Sequence, residues 1–95
     1  MIETRESNEN ASLGQNIPNP FNGTTLISYY VPFVKSQASI VIIDLAGRIV
    51  AEYDIRETGF GQVEFSNSEI TSGSYHYSLF VDGKKIDSKQ MVMQR

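Results

Sequence analysis

Cysteine and tryptophan are absent from these 95 residues, and histidine occurs once. Without cysteine there is neither a disulfide framework nor a thiolate for catalysis or metal binding. His76 falls on the polar face of an expected strand, and one histidine without cysteine cannot complete a zinc site. No window approaches the roughly 20 apolar residues of a membrane-spanning helix, so no transmembrane segment is expected. The amino terminus also lacks a positively charged start followed by an apolar stretch. If the chain is exported, its address is expected to lie elsewhere in a longer polypeptide or in the domain itself.

Catalytic patterns are equally sparse. There is no glycine-rich phosphate loop, no nucleophile elbow around a serine, and no distinctive order of serine, histidine and acid. Asp44 and Asp82 sit in expected turns, where an aspartate side chain serves nearby backbone N–H groups. No enzyme activity, cofactor or metal is expected. A net charge of −3 supplies no field that would hold nucleic acid. The charge is uneven, however: residues 1–12 carry −2 (Glu3, Glu6 and Glu9 against Arg5), and residues 84–95 carry +3 (Lys84, Lys85, Lys89 and Arg95 against Asp87).

What the chain does contain is 40% hydrophobic and 11% aromatic residues with 20% charged, enough for one modest core. The first twelve residues, "MIETRESNENAS", have no sustained periodicity and read as a linker accessible to proteases, with the domain boundary near Leu13. From Thr24 onward the pattern has period two. Ile27, Tyr29 and Val31 share one face, as do Ala38, Ile40 and Ile42, then Val63 and Phe65, then Tyr75, Tyr77, Leu79 and Val81. A strand from Arg48 onward has no clear register. Asp82-Gly83 marks a two-residue hairpin turn, and a last strand over residues 84–93 pairs back. In that strand Ile86 and Val92 fall opposite Met91 and Met93, which a bulge near Ser88 would reconcile. No amphipathic helical stripe is present. The expected fold is all-β, an immunoglobulin-like antiparallel sandwich of about seven strands, monomeric as an isolated domain. Tyrosines at 29, 30, 53, 75 and 77 could make a sugar-stacking platform, but most occupy core-facing positions.

Before the first clear strand lies "QNIPNPFNGTT". Prolines restrict φ and bias the preceding residues to extended conformations, so Pro18 and Pro20 should make a stiff, non-helical segment that delivers Phe21 into one end of the sandwich. Asn16, Asn19 and Asn22 can satisfy backbone groups that have no ladder partner. Residues 18–22 therefore read as a latch between linker and sandwich.

Taken with "ASIVIIDLAGRIV" and the closing "SGSYHYSLFVDGKKIDSKQMVMQR", this stretch resembles the type A C-terminal sorting domain of type IX secretion system cargo proteins of the Bacteroidetes. The resemblance runs from about Leu13 to Arg95. Its features map onto the latch Pro18, Asn19, Pro20, Phe21 and Asn22, and onto the turn containing Asp44, Gly47 and Arg48. They continue through Gly73 and Tyr75, through Gly83 at the hairpin, and through residues 89–93 near the terminus; the residues expected to meet a partner are Gly73, Tyr75, Asp82, Gly83, Lys84, Lys85, Lys89, Met91 and Val92. Gly23 departs from the pattern, because a proline is common there.

The resemblance implies a signal that follows an unrelated upstream cargo domain and directs it through the outer membrane. The implied partners are the translocon, shuttle protein and sortase of that system, with periplasmic transit before the cell surface or the exterior. The domain is then removed within residues 1–12 by a sortase-like protease, and the cargo end is joined to anionic lipopolysaccharide. The resemblance and the basic charge suggest that residues 73–95 are the face read by the machinery. The competing expectation is a structural or carbohydrate-binding sandwich appended to a secreted protein.

Overall fold

The computed structural model describes residues 11–32 and 37–95, so residues 1–10 of the expected linker lie outside it. Seven strands follow in order: β1 (Ser12–Leu13), β2 (Thr24–Val31), β3 (Ala38–Ile43), β4 (Ile49–Ile55), β5 (Gly59–Ser66), β6 (Gly73–Val81) and β7 (Lys84–Met93). They form two antiparallel sheets, β1-β2-β5 and β4-β3-β6-β7, with no helix among the described residues. This is the all-β sandwich expected from the period-two pattern.

The period-two faces meet between the sheets. Ile27, Val31 and Phe65 come from the three-stranded sheet, and Ile40, Ile42, Tyr77, Leu79 and Val81 from the four-stranded one, all at most 2% exposed. Tyr75 and Tyr77 are buried and Tyr29, Tyr30 and Tyr53 half-buried, so the two tyrosines of β6 serve packing rather than a sugar platform. In β4, Ala51, Tyr53 and Ile55 face inward while Glu52 and Asp54 are exposed. A register shift between Ile42 and Ile43 leaves Ile49 63% exposed at the start of β4.

β7 carries the irregularity expected near Ser88, and pairing places it at Ile86. Leu79 pairs with Asp87 and Phe80 with Lys85, so Ile86 is the extra residue, two positions before Ser88. Asp82 and Gly83 both have positive φ (51° and 84°), which builds a tight two-residue turn and fixes Val81 opposite Lys84. Farther along, Met91 must sit opposite Tyr75 to reach the core. The mismatch is absorbed directly after the turn. It also places Lys89 opposite Tyr77 on the inward side of the edge strand, where it is half-buried rather than solvated.

The Asp82 carboxylate reaches beyond its own turn. It accepts the Gln37 N–H at 3.1 Å while the Asp82 N–H donates to the Gln37 carbonyl at 2.6 Å, tying the hairpin tip to the segment before β3.

Candidate recognition surface

The latch is built from the backbone outward. Ile17 and Leu26 exchange N–H to carbonyl bonds of 2.9 Å, so the chain begins by lying along β2. It then crosses to the other sheet. The Phe21 N–H donates to the Val92 carbonyl at 2.9 Å, the Gln94 N–H donates to the Phe21 carbonyl at 2.8 Å, and the bridge is parallel. Asn19 completes the pairing by accepting the Val92 N–H on its side-chain oxygen at 3.0 Å. The edge of β7 at this end is thus covered by the latch rather than left for a partner. Both proline bonds, Ile17-Pro18 and Asn19-Pro20, are cis.

Two buried groups fasten the crossing. The Phe21 side chain is 2% exposed and meets Phe65 edge to face, with ring centroids 5.9 Å apart. Asn16 is 1% exposed and donates its amide to the Pro18 carbonyl and the Thr25 hydroxyl, each at 3.0 Å. The Thr25 hydroxyl donates to the same carbonyl at 2.8 Å. From β6, the Tyr77 hydroxyl donates to the Gly14 carbonyl at 2.7 Å and accepts the Asn16 N–H at 2.8 Å. Among the described residues no buried side-chain nitrogen or oxygen lacks a hydrogen-bond partner, as burial away from water demands. Burial pushes the Tyr77 hydroxyl up to about 12; the Asn16 N–H opposes that shift and the Asp87 charge adds to it.

At the same end lies an open groove of about 550 Å³, between the β3–β4 turn and the loop that precedes β6. The turn is self-contained. One Asp44 carboxylate oxygen accepts the Ala46 and Arg48 N–H groups, each at 2.9 Å, and the other accepts the Arg48 Nε–H at 3.0 Å. The Gly47 N–H donates to the Asp44 carbonyl at 3.0 Å. This arrangement projects Leu45 (71% exposed) and Ile49 (63%) beside the largely exposed Arg48 side chain. Opposite them, β3 ends at Ile43, paired with His76, so Gly73, Ser74 and Tyr75 continue past it along the groove. Arg95 holds the far wall: its guanidinium donates to the Ser68 and Ile70 carbonyls (3.2 and 2.8 Å) and its N–H to the Ser72 hydroxyl (3.1 Å).

The Arg48 N–H is the largest cause holding the Asp44 carboxyl below its ordinary value of 3.8. A depressed folded value means that the turn's contribution is present above pH 3.8 and is lost as pH falls through the folded value. In an acid NMR titration the Ala46 and Arg48 amide shifts should move together with a midpoint below 3.8, and Asp44→Asn should abolish the transition. A midpoint at or above 3.8 would contradict the hydrogen-bonded turn.

The residues singled out from sequence therefore separate into two ends. Pro18, Asn19, Pro20, Phe21 and Asn22, the turn with Asp44, Gly47 and Arg48, and Gly73, Tyr75, Met91 and Val92 gather around the latch and groove. Asp82, Gly83, Lys84 and Lys85 lie at the opposite end of the β6–β7 hairpin, with Lys89 between. Phe21, Tyr75 and Met91 are buried and shape the surface, whereas Pro18, Asn19, Pro20, Asn22, Arg48 and Gly73 are exposed on it. Sequence reasoning overlooked the Arg95 clamp, the Tyr77 tie, and Leu45 and Ile49. Only the last two left a local signal, as large apolar residues flanking a polar turn.

A family model described as "Secretion system C-terminal sorting domain" matches residues 16–94. Curated proteins provide no match to the chain. The matched span starts at the buried asparagine of the latch and ends at the glutamine whose N–H closes the Phe21 bridge. The chain belongs to the secretion system C-terminal sorting domain family, the sorting signals of type IX secretion.

Proposed function

We propose that this domain carries a polypeptide joined ahead of it from the periplasm through the outer membrane. The machinery reads it at the groove beside the latch, a sortase-like protease then cuts within residues 1–12, and the freed cargo end is attached to anionic lipopolysaccharide at the cell surface. One observation supports this reading most: motif pieces far apart in sequence, residues 18–22, 44–48, 73–75 and 91–93, are assembled at one end of the sandwich. That end exposes Leu45 and Ile49 as an apolar patch around a groove, beside Arg48, a residue type enriched at protein interfaces. The basic hairpin tip at Lys84 and Lys85 lies at the other end and serves as a guarded, soluble edge.

The test is export of a periplasm-targeted fluorescent protein fused to residues 1–95 in a type IX-competent bacterium. The parental fusion should appear outside the outer membrane. Leu45→Ser with Ile49→Thr alters exposed side chains and should change stability by about 1 kcal/mol or less, yet trap the fusion in the periplasm. Lys84→Glu with Lys85→Glu should leave export unchanged. A folded groove variant exported at the parental rate would refute the groove as the reading surface. Mass spectrometry of the exported fusion should find its new carboxyl terminus within residues 1–12, and a fusion that retains the sandwich at the surface would refute removal.

A further inference from the structure

Three of the four sheet edges carry a guard against stray pairing. β7 has Lys84, Lys85, the Ile86 bulge and the latch over Val92; β1 is two residues long; β4 presents Glu52 and Asp54. β5 differs. It has eight residues without proline or lysine, Glu64 is its sole charge, and among the described residues its only strand neighbour is β2.

The direction of its backbone groups follows from the pairing. Leu26 gives both its N–H and its carbonyl to Ile17, away from β5, so its partner Glu64 points its own groups away from β2. In agreement, the Glu64 carbonyl accepts the Tyr53 hydroxyl at 3.4 Å. By two-residue alternation Gln62 and Phe60 also direct N–H and C=O to the open edge. Tyr53 closes that edge at Glu64 and leaves it open from Phe60 to Gln62.

The same stretch carries the most exposed large apolar side chain among the described residues. Phe60 is 88% exposed and contacts Tyr30 with ring centroids 4.5 Å apart. Between Phe60 and Gln62, Gly61 has no side chain because the Tyr29 ring fills that position, and a Cβ there would overlap the Tyr29 hydroxyl and ring. A shallow depression of about 380 Å³ lies at the strand edge, bounded by Ser28, Tyr29, Phe60, Gly61 and Gln62. Among the described residues the surrounding charge is acidic: Glu52 on β4, Glu57 in the turn that follows it and Glu64 on β5, and the one described cation of this stretch, Arg56, reaches to Asp54 at 3.4 Å.

We infer that the open edge of β5 is a strand-addition site for an extended segment of a partner polypeptide, which brings an apolar side chain to Phe60 and Tyr30 and a basic one to Glu64. Main-chain bonds to Phe60 and Gln62 supply affinity, and the alternate side chains supply specificity. An antiparallel partner places three side chains two residues apart over Phe60, Gln62 and Glu64, so its sequence reads basic, any, polar, any, apolar. The chain's own residues 1–10 fit poorly, since Glu3, Glu6 and Glu9 outnumber Arg5. This site is distinct from the groove and does not depend on how the groove is used.

The test titrates the complete chain with a ten-residue peptide carrying Lys-Val-Thr-Val-Phe at its centre, followed by amide NMR. Shift changes and slowed exchange are expected at Phe60 and Gln62, with Val92 and Gln94 unmoved. Gln62→Pro removes an N–H that points away from β2, which an edge strand tolerates, and should abolish binding. Phe60→Ala alters an exposed side chain and should weaken binding about fivefold, the worth of one cross-strand aromatic pair. Glu64→Lys should reverse the preference toward a peptide with Glu in place of Lys. No response at Phe60 and Gln62 with millimolar peptide, a response centred on β7, or unchanged binding by Phe60→Ala would overturn the inference, as would binding of a soluble oligosaccharide at Phe60 in place of the peptide.

Discussion

Tyr77→Ala is expected to destabilise the domain by about 3–5 kcal/mol, the range for truncating a buried aromatic ring. Tyr77 is fully buried, and its loss removes both core volume and the tie between β6 and the latch. Against the roughly 5–15 kcal/mol that stabilises a small domain, this is a large share. Tyr77→Phe separates the two contributions. It keeps the ring and leaves the Gly14 carbonyl and the Asn16 N–H without their partner, at a cost of about 1–3 kcal/mol. Chemical denaturation at neutral pH measures both variants, and a loss under about 1 kcal/mol for the alanine variant would mean that the ring does not fill the core.

The hydroxyl also gives this tie a pH signature. Its folded value, raised to about 12 from 10.0, makes the linked stability fully present below pH 10 and progressively lost as pH rises toward 12. The advantage of the parent over Tyr77→Phe should therefore shrink across that interval, and subtracting the two denaturation series cancels the lysines and the other tyrosines. An advantage that stays constant or grows there would contradict a buried, neutral hydroxyl.

Phe21→Ala is expected to cost about 3–5 kcal/mol as well, with a different spatial signature. The ring anchors the latch against Phe65, and the same residue's backbone makes the parallel bridge to Val92 and Gln94. Losing the anchor should loosen the bridge. Amide exchange should then accelerate at Val92 and Gln94 more than in the β3–β6 ladder, because local opening at the latch precedes global unfolding. The uncovered β7 edge should also raise the tendency to associate, visible by light scattering. Uniform acceleration across all strands would show that the latch is not a separate opening unit, and a cost below about 1 kcal/mol would show that Phe21 does not anchor it.

How much of this was legible beforehand depended on whether the signal was local. Alternation in β2, β3 and β6 determined which side chains face the core, because strand geometry sends neighbours to opposite faces whatever lies beyond them. Asp82-Gly83 determined the hairpin, since few dipeptides take two positive φ angles readily. The prolines and Phe21 marked a latch with an aromatic anchor, and the ordered motif pieces pointed to the sorting family over nearly the whole folded part. Tertiary structure decided the rest. The bulge expected near Ser88 sits at Ile86 because two distant constraints, the turn and the seating of Met91, had to be met on one strand. The register of β4 depended on an edge where, among the described residues, only β3 imposes order. Asn16 and Tyr77 lie 61 positions apart and meet only because the latch crosses between the sheets, so no window of sequence contains their bond. The groove at Leu45 and Ile49 exists for the same reason: β3 stops at Ile43 while β6 runs on to Gly73, and the gap belongs to neither strand alone.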